Sequence, residues 1–181
     1  MLSAEERADL DELRGHYPTA RAASVTILKW LQQRRGYLST ETLGDAADYL
    51  GVPMADLEGL ATFYNLLYRR PVGERVILLC DSASCWIRGC DRIRAQLQER
   101  LGIRMGETTA DGRFTLLPTV CLGDCDHAPA MLVGGELHHD LAVEELDRIL
   151  QLEGLGQARE REEEKERARG QAAPADGGES G

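Results

Sequence analysis

The first 70 residues alternate polar and apolar positions with the spacing of amphipathic helices. Ser3 and Glu6 match a capping box and predict the start of the first helix. Phe63 and Tyr64, at the end of the fourth, are predicted to pack in a core or between domains. Capping residues and prolines limit the other helices: Gly36, Ser39, Gly51 and Pro53. The pattern therefore predicts a small helical bundle over residues 1–70.

After residue 70 the apolar positions form short runs of strand length, which predict a second domain over residues 71–155. The predicted elements are a strand over 75–80, a helix over 87–101, strands over 113–117 and 130–133, and a helix over about 142–152. Asp111-Gly112 and Gly134-Gly135 predict turns beside the later strands. This order indicates one parallel crossover together with antiparallel strands, so the predicted fold class is α+β, with a thioredoxin-like second domain.

The composition changes again near Gly154. Residues 156–181 contain almost nothing apolar beyond alanine, which predicts a charged, disordered tail. The chain carries a formal charge of −10, of which only −2 falls on this tail. The acidic balance argues against a nucleic-acid partner. No run approaches about 18 consecutive apolar residues, and the N-terminus lacks the pattern of a secretory signal, so neither membrane insertion nor export is expected.

Four of the five cysteines fall into two pairs that follow predicted strands. Cys80-x4-Cys85 and Cys121-x3-Cys125 are separated by 35 residues, and each pair is expected on a loop leaving the sheet. Without an export signal, such cysteines favour metal or redox chemistry over disulfides. Their spacings are wider than the Cys-x2-Cys knuckles typical of zinc sites. They favour a [2Fe–2S] cluster, which needs four thiolates, and leave structural zinc or reduced structural cysteines as alternatives.

The remaining candidates have simpler interpretations. Cys90 is predicted to be a buried small residue rather than a ligand. His127 is interpreted as a loop residue, and His138 and His139 as strand positions on opposite faces. Trp86, directly after a cysteine, is predicted to shield the site or to pack against a partner. The chain has no Gly-x-Gly-x-x-Gly phosphate loop, so we do not expect it to bind NAD or flavin by itself.

The two cysteine loops resemble those of a known family. The stretch DGRFTLLPTVCLGDCDHAP, residues 111–129, is similar to the second cluster loop of the small [2Fe–2S] subunits of NADH:quinone oxidoreductase, respiratory complex I. Cys80-x4-Cys85 matches their first loop, and EGLATFY, residues 58–64, resembles the segment that closes their helical region. The resemblance covers roughly residues 10–152. It does not extend to the charged tail.

This resemblance implies a helical bundle followed by a thioredoxin-like domain that holds one [2Fe–2S] cluster. The implied ligands are Cys80, Cys85, Cys121 and Cys125. The implied function is that of a redox subunit without a substrate site, which exchanges single electrons with the flavin of an NADH-oxidising partner subunit. Within its multi-subunit complex it would lie on the cytoplasmic side of the inner membrane. The alternatives are the same function in a NAD-linked formate dehydrogenase or bidirectional hydrogenase, or a zinc-stapled interaction module.

Overall fold

The computed structural model describes residues 1–152. These residues divide into two compact units, Met1–Gly73 and a second unit that begins at Glu74. Each unit has its own hydrophobic core. The predicted charged tail lies outside the described residues. No helix within residues 1–152 has the length and hydropathy needed to cross a bilayer.

The first unit consists of four helices, and capping residues explain where several of them begin and end. They are α1 (Ala4–Gly15), α2 (Ala20–Arg35), α3 (Thr40–Leu50) and α4 (Met54–Phe63). Ser3 and Glu6 make both hydrogen bonds of the predicted capping box. Gly51 ends α3 with φ at 66°, a left-handed conformation that suits glycine. The core is built mainly from leucines, including Leu10, Leu28, Leu31, Leu43 and Leu57.

Phe63 does not have one of its two predicted environments. Its side chain is 78% exposed, so the expectation that it packs in a core is wrong, while packing between domains stays a prediction. The buried residues of α4 are Leu57 and Ala61, and Phe63 at the end of the helix lies off that stripe. Its ring makes an edge contact with Tyr64, with 5.1 Å between the ring centroids.

The second unit contains a four-stranded mixed sheet together with helices. Its elements are β1 (Arg75–Cys80), α5 (Ala83–Ile87), α6 (Cys90–Leu101), β2 (Phe114–Thr119), β3 (Met131–Val133) and β4 (Glu136–His138). The strand order is β2-β1-β3-β4. The β1–β2 pair is parallel and the other two pairs are antiparallel. The predicted α+β fold class, with one parallel crossover, is confirmed.

Two helical segments of this unit differ from their predictions. Instead of one helix over 87–101 there are two, α5 and α6, separated by Arg88 and by Gly89 at φ 90°. Because α5 begins at Ala83, Cys85 lies on a short helix and not on a loop. The last predicted helix begins as a 3₁₀ turn, Val143–Glu145, and is helical over residues 146–152.

Candidate metal centre

Parallel pairing brings the two cysteine segments to the same edge of the sheet. Cys80, the last residue of β1, is in register with Thr119, the last residue of β2. The amide of Asp81 donates a hydrogen bond to the carbonyl of Thr119 at 3.1 Å. Cys121 follows Thr119 by two residues. Both cysteine segments therefore start side by side, although 35 residues separate the pairs.

The first cysteine pair is buried. Cys80 and Cys85 pack together with Cys90 and Ala128 in a small cluster of their own. The amide of Cys80 donates to the carbonyl of Ala130 at 3.2 Å, which ties this end of β1 to the segment leading into β3. Burial, together with the neighbouring Cys80 thiol, raises the pKa of Cys85 to about 11. A metal ion bound to this sulfur would favour its thiolate form, because metal ligation uses the deprotonated sulfur.

The second pair is exposed and its sulfurs are in contact. The Sγ atoms of Cys121 and Cys125 lie 3.2 Å apart, and the amide of Gly123 donates to Cys121 Sγ at 3.3 Å. Hydrogen bonds from the Cys125 thiol and this amide lower the pKa of Cys121. The pKa of Cys125 is raised by the same contact with Cys121. Gly123 has a positive φ, 90°, a conformation that glycine adopts easily, and its amide points toward the sulfur.

Direct contacts join the two cysteine segments. The Ser84 side chain of α5 hydrogen-bonds to Cys125. The Arg88 Nε atom donates to the carbonyl of Ala128 at 3.2 Å. Two thiolates bound to one tetrahedral metal ion at about 2.3 Å lie about 3.8 Å apart, so a small separation of the Cys121 and Cys125 sulfurs suits a shared metal. The donor set, two thiols from each segment, fits the four thiolates of a [2Fe–2S] cluster.

Cys90 lies at the start of α6 and is fully buried. Burial raises the pKa of its thiol. The prediction that it is a buried small residue is confirmed. That it does not act as a ligand stays a prediction.

The structure also brings together three polar side chains beside the second cysteine pair, which sequence reasoning did not group. His127 lies on a 3₁₀ turn, Cys125–His127, and its Nδ1 atom is 2.9 Å from Asp140 Oδ2. His139 Nδ1 lies 3.3 Å from the same oxygen. β4 ends at His138, so the prediction that His139 is a strand residue is wrong. After β4 the chain returns toward the 3₁₀ turn, and no short-range spacing in the sequence signals that contact.

Exposed apolar side chains flank the cysteines. Trp86, directly after Cys85, is 63% exposed, and its neighbour Ile87 is exposed as well. Val120, directly before Cys121, is also exposed. Of the two interpretations predicted for Trp86, this exposure favours contact with a partner over shielding of the site.

Known proteins resemble this chain in sequence and in fold. The sequence profile of the thioredoxin-like [2Fe–2S] ferredoxin family matches residues 10–152. The chain is 42% identical over 151 residues to the E subunit of NADH-quinone oxidoreductase from Pseudomonas aeruginosa, and the match covers 83% of this chain and 91% of that protein. It is 45% identical over 150 residues to the corresponding E subunit from Escherichia coli K12, covering 83% of this chain and 90% of that one.

A solved structure shares the fold. It is a chain of a NAD⁺-reducing [NiFe]-hydrogenase in the air-oxidized state, with a TM-score of 0.60 and 25% sequence identity. The match covers 71% of this chain and 23% of that chain, so the present chain corresponds to about a quarter of the hydrogenase chain's length.

Proposed function

The chain belongs to the thioredoxin-like [2Fe–2S] ferredoxin family, and on that premise we propose that it is the cluster-bearing electron-transfer subunit of an NADH:quinone oxidoreductase. Its relatives at 42–45% identity are E subunits of such oxidoreductases, and they align over at least 90% of their own length. The cofactor of the family is one [2Fe–2S] cluster, as the cysteine spacing predicts. The chain is thus an oxidoreductase component, and we propose that the substrate sites of the complex lie in its partner subunits.

We propose that the ligands are Cys80, Cys85, Cys121 and Cys125. The observation that carries this assignment is the parallel β1–β2 pairing, because it brings both cysteine pairs to one edge of the sheet. The first pair is buried and the second is exposed, so the cluster would lie between the protein interior and the surface. A buried Cys85 with a raised pKa becomes a thiolate when a metal compensates the charge.

When bound, the cluster accepts one electron and releases one electron. The protein's own residues hold it and adjust its potential. The Gly123 amide, directed at Cys121 Sγ, stabilises negative charge on that sulfur and favours the reduced state. Asp124 and Asp126, on either side of Cys125, add negative charge and favour the oxidised state.

The proposed partner is a flavin-bearing, NADH-oxidising subunit. A flavin receives two electrons as hydride and passes them on singly, so a one-electron centre next to it is chemically useful. The exposed side chains of Trp86, Ile87 and Val120 adjoin the cysteines, and they suit a surface that is covered when the cluster approaches the flavin. We propose that the chain is peripheral to the membrane, on its cytoplasmic side, through this complex.

Anaerobic purification of the full chain tests the proposal. We expect a coloured protein with two irons and two acid-labile sulfides per chain, and a paramagnetic signal after reduction. Co-expression with neighbouring genes should yield a complex that contains flavin and oxidises NADH with a quinone as acceptor. A colourless protein that contains zinc and no iron would instead support the zinc-stapled interaction module.

The structural likeness to a NAD⁺-reducing hydrogenase favours a second candidate, the same electron-transfer function in a hydrogenase complex. The isolated chain has the same spectrum in either case. The other proteins that purify with it distinguish the two hosts, because a hydrogenase complex contains nickel and consumes hydrogen.

A further inference from the structure

Three side chains outside the cysteine set converge on one point of the surface. The Nδ1 atoms of His127 and His139 lie 2.9 and 3.3 Å from the same oxygen, Asp140 Oδ2. The two imidazole rings meet edge to face, with 4.9 Å between their centroids. All three ligand atoms lie within 4.8 Å of one another.

These separations match the ligand shell of a small divalent metal ion. Nitrogen and oxygen ligands at about 2.0–2.1 Å from a tetrahedral zinc ion lie about 3.3 Å apart. The two nitrogen–oxygen distances, 2.9 and 3.3 Å, are close to this ligand–ligand separation. Imidazole with carboxylate is also a donor set that zinc uses in proteins.

Two further aspartates lie next to the two histidines. Asp124 Oδ2 lies 3.8 Å from His139 Nδ1 and supplies a fourth ligand after a small movement. The other ring nitrogen of His127, Nε2, lies 3.6 Å from Asp126 Oδ2. In metal sites, the histidine nitrogen that does not bind the metal often donates a hydrogen bond to a carboxylate, which fixes the orientation of the imidazole ring. Three aspartates around two histidines also give the site the negative charge that a cation requires.

The backbone holds the two ligand-bearing segments together before any ion binds. The Asp140 amide donates to the carbonyl of His127 at 2.7 Å, and the Leu141 amide donates to the carbonyl of Pro129 at 3.1 Å. The spacing of the three ligands therefore depends on backbone contacts and not only on side-chain rotamers. The three side chains are about half exposed, so an ion can enter from solvent and retain a water ligand.

We propose that His127, His139 and Asp140, with Asp124 completing the shell, bind one divalent transition-metal ion of the zinc type. This site is separate from the cysteine centre and uses none of its sulfurs. The bound ion would hold the segment after Cys125 against the segment after β4. The alternative is that the three side chains form ion pairs only.

The test is calorimetric titration of chelator-washed, cluster-loaded full chain with zinc chloride. Two variants are compared: His139→Gln with Asp140→Asn, and His16→Gln. Asparagine suits position 140, because Asp140 has φ at 48° and asparagine tolerates that conformation. His16 is an exposed histidine of the other unit and serves as the matched control. Iron content and the visible spectrum, recorded before and after each titration, report whether zinc has displaced the cluster.

We expect one zinc ion per chain in the wild type and in His16→Gln, and at least about tenfold weaker binding in the double variant. The iron content should stay constant throughout. Equal affinity in the wild type and the double variant would overturn the proposal, and so would the absence of zinc binding to the wild type. A chain that holds no iron contradicts the proposed function instead, and the iron measurement separates the two failures.

Discussion

The amide of Asp81 donates a hydrogen bond to the carbonyl of Thr119 across 3.1 Å. Asp81 is the first residue after β1 and Thr119 is the last of β2, so this bond continues the parallel pairing beyond the Cys80–Thr119 register. The two segments leave the sheet as neighbours, about 4.8 Å apart. Sheet pairing therefore positions cysteines that are distant in sequence.

Replacement of a proposed ligand should abolish or alter the cluster. In Cys80→Ser and in Cys121→Ser, the loss of one of four thiolates should lower the iron content or shift the visible spectrum, because an alkoxide is a poorer iron ligand than a thiolate. Iron analysis, visible absorption and the paramagnetic signal after reduction measure the effect.

Cys90→Ser is the matched control for these variants, because Cys90 lies in the same buried cluster as Cys80. We expect the control to retain the wild-type spectrum and iron content, with some loss of stability from a buried hydroxyl. A wild-type spectrum in Cys80→Ser, or the loss of the cluster in Cys90→Ser, would contradict the proposed ligand set.

Gly123→Ala should destabilise the second cysteine segment. At φ 90° an L side chain is strained, at a cost of about 1–2 kcal/mol. Relief of that strain would turn the amide away from Cys121 Sγ, which it contacts at 3.3 Å. We expect a lower free energy of unfolding and faster loss of iron under air, measured by denaturant titration and by the decay of visible absorption.

Gly44→Ala is the control for this substitution. Gly44 lies inside α3, has no positive φ, and a Cβ atom there meets nothing within 4 Å. The exchange should increase stability by up to about 1 kcal/mol and leave the cluster unaffected. If Gly123→Ala keeps both its stability and its cluster, the left-handed turn is not required.

The features that are predicted correctly depend on residues that lie close together in the sequence. Ser3 and Glu6 predict the start of α1, because a capping box needs only backbone groups three residues apart. The break between α5 and α6 is not predicted, since Ile87, Cys90 and Ile93 recur every three residues across Gly89, as they would in one continuous helix. The exposure of Phe63 is not predicted either, because residue type alone does not show whether a phenylalanine side chain is buried or exposed.

The same limit applies to the candidate sites. The cysteine spacing predicts a metal centre, because each pair is local and follows a strand. The contact of His127 with His139 and Asp140 depends on the β3–β4 hairpin and on the chain's return after it. Such a contact follows from tertiary structure, and the sequence pattern contains no sign of it.

Trp86→Ser should weaken association with the flavin-bearing partner and leave the cluster unchanged. The indole is largely exposed in this chain, so its removal costs little stability here, and it adjoins the proposed ligand Cys85. Buried aromatic anchors are frequent hot spots, so we expect about tenfold weaker binding to that partner. Slower reduction of the cluster by NADH through the partner, with unchanged reduction by dithionite, is the measurement.

Leu137→Ser provides the comparison, because Leu137 is another exposed apolar residue of the same unit, on β4. This variant should bind the partner and accept electrons from NADH as the wild type does. Equal effects of the two substitutions would argue against a docking surface centred on Trp86.

The first unit should lose stability in acid through a charge cluster centred on Arg35. Its guanidinium lies 3.2 Å from Glu6 and 3.0 Å from Asp45, and all three side chains are largely buried. The hydrogen bond from the Ser3 amide, helped by Arg35, lowers the pKa of Glu6 below its usual 4.5. A carboxylate with a lowered folded-state pKa stabilises the fold above its unfolded pKa, and that contribution is lost as the pH falls through the folded value.

Glu6→Gln should therefore cost about 1 kcal/mol at neutral pH, because it removes a charged partner of Arg35 but keeps the side-chain shape. The difference from the wild type should shrink as the pH falls below 4.5, since a protonated Glu6 resembles glutamine. Denaturant unfolding followed by helical circular dichroism at several pH values measures it. Glu5→Gln, an exposed substitution in the same helical turn, should change stability much less. A cost for Glu6→Gln that persists unchanged at acid pH would show that packing, and not the ionised carboxylate, is what Glu6 contributes.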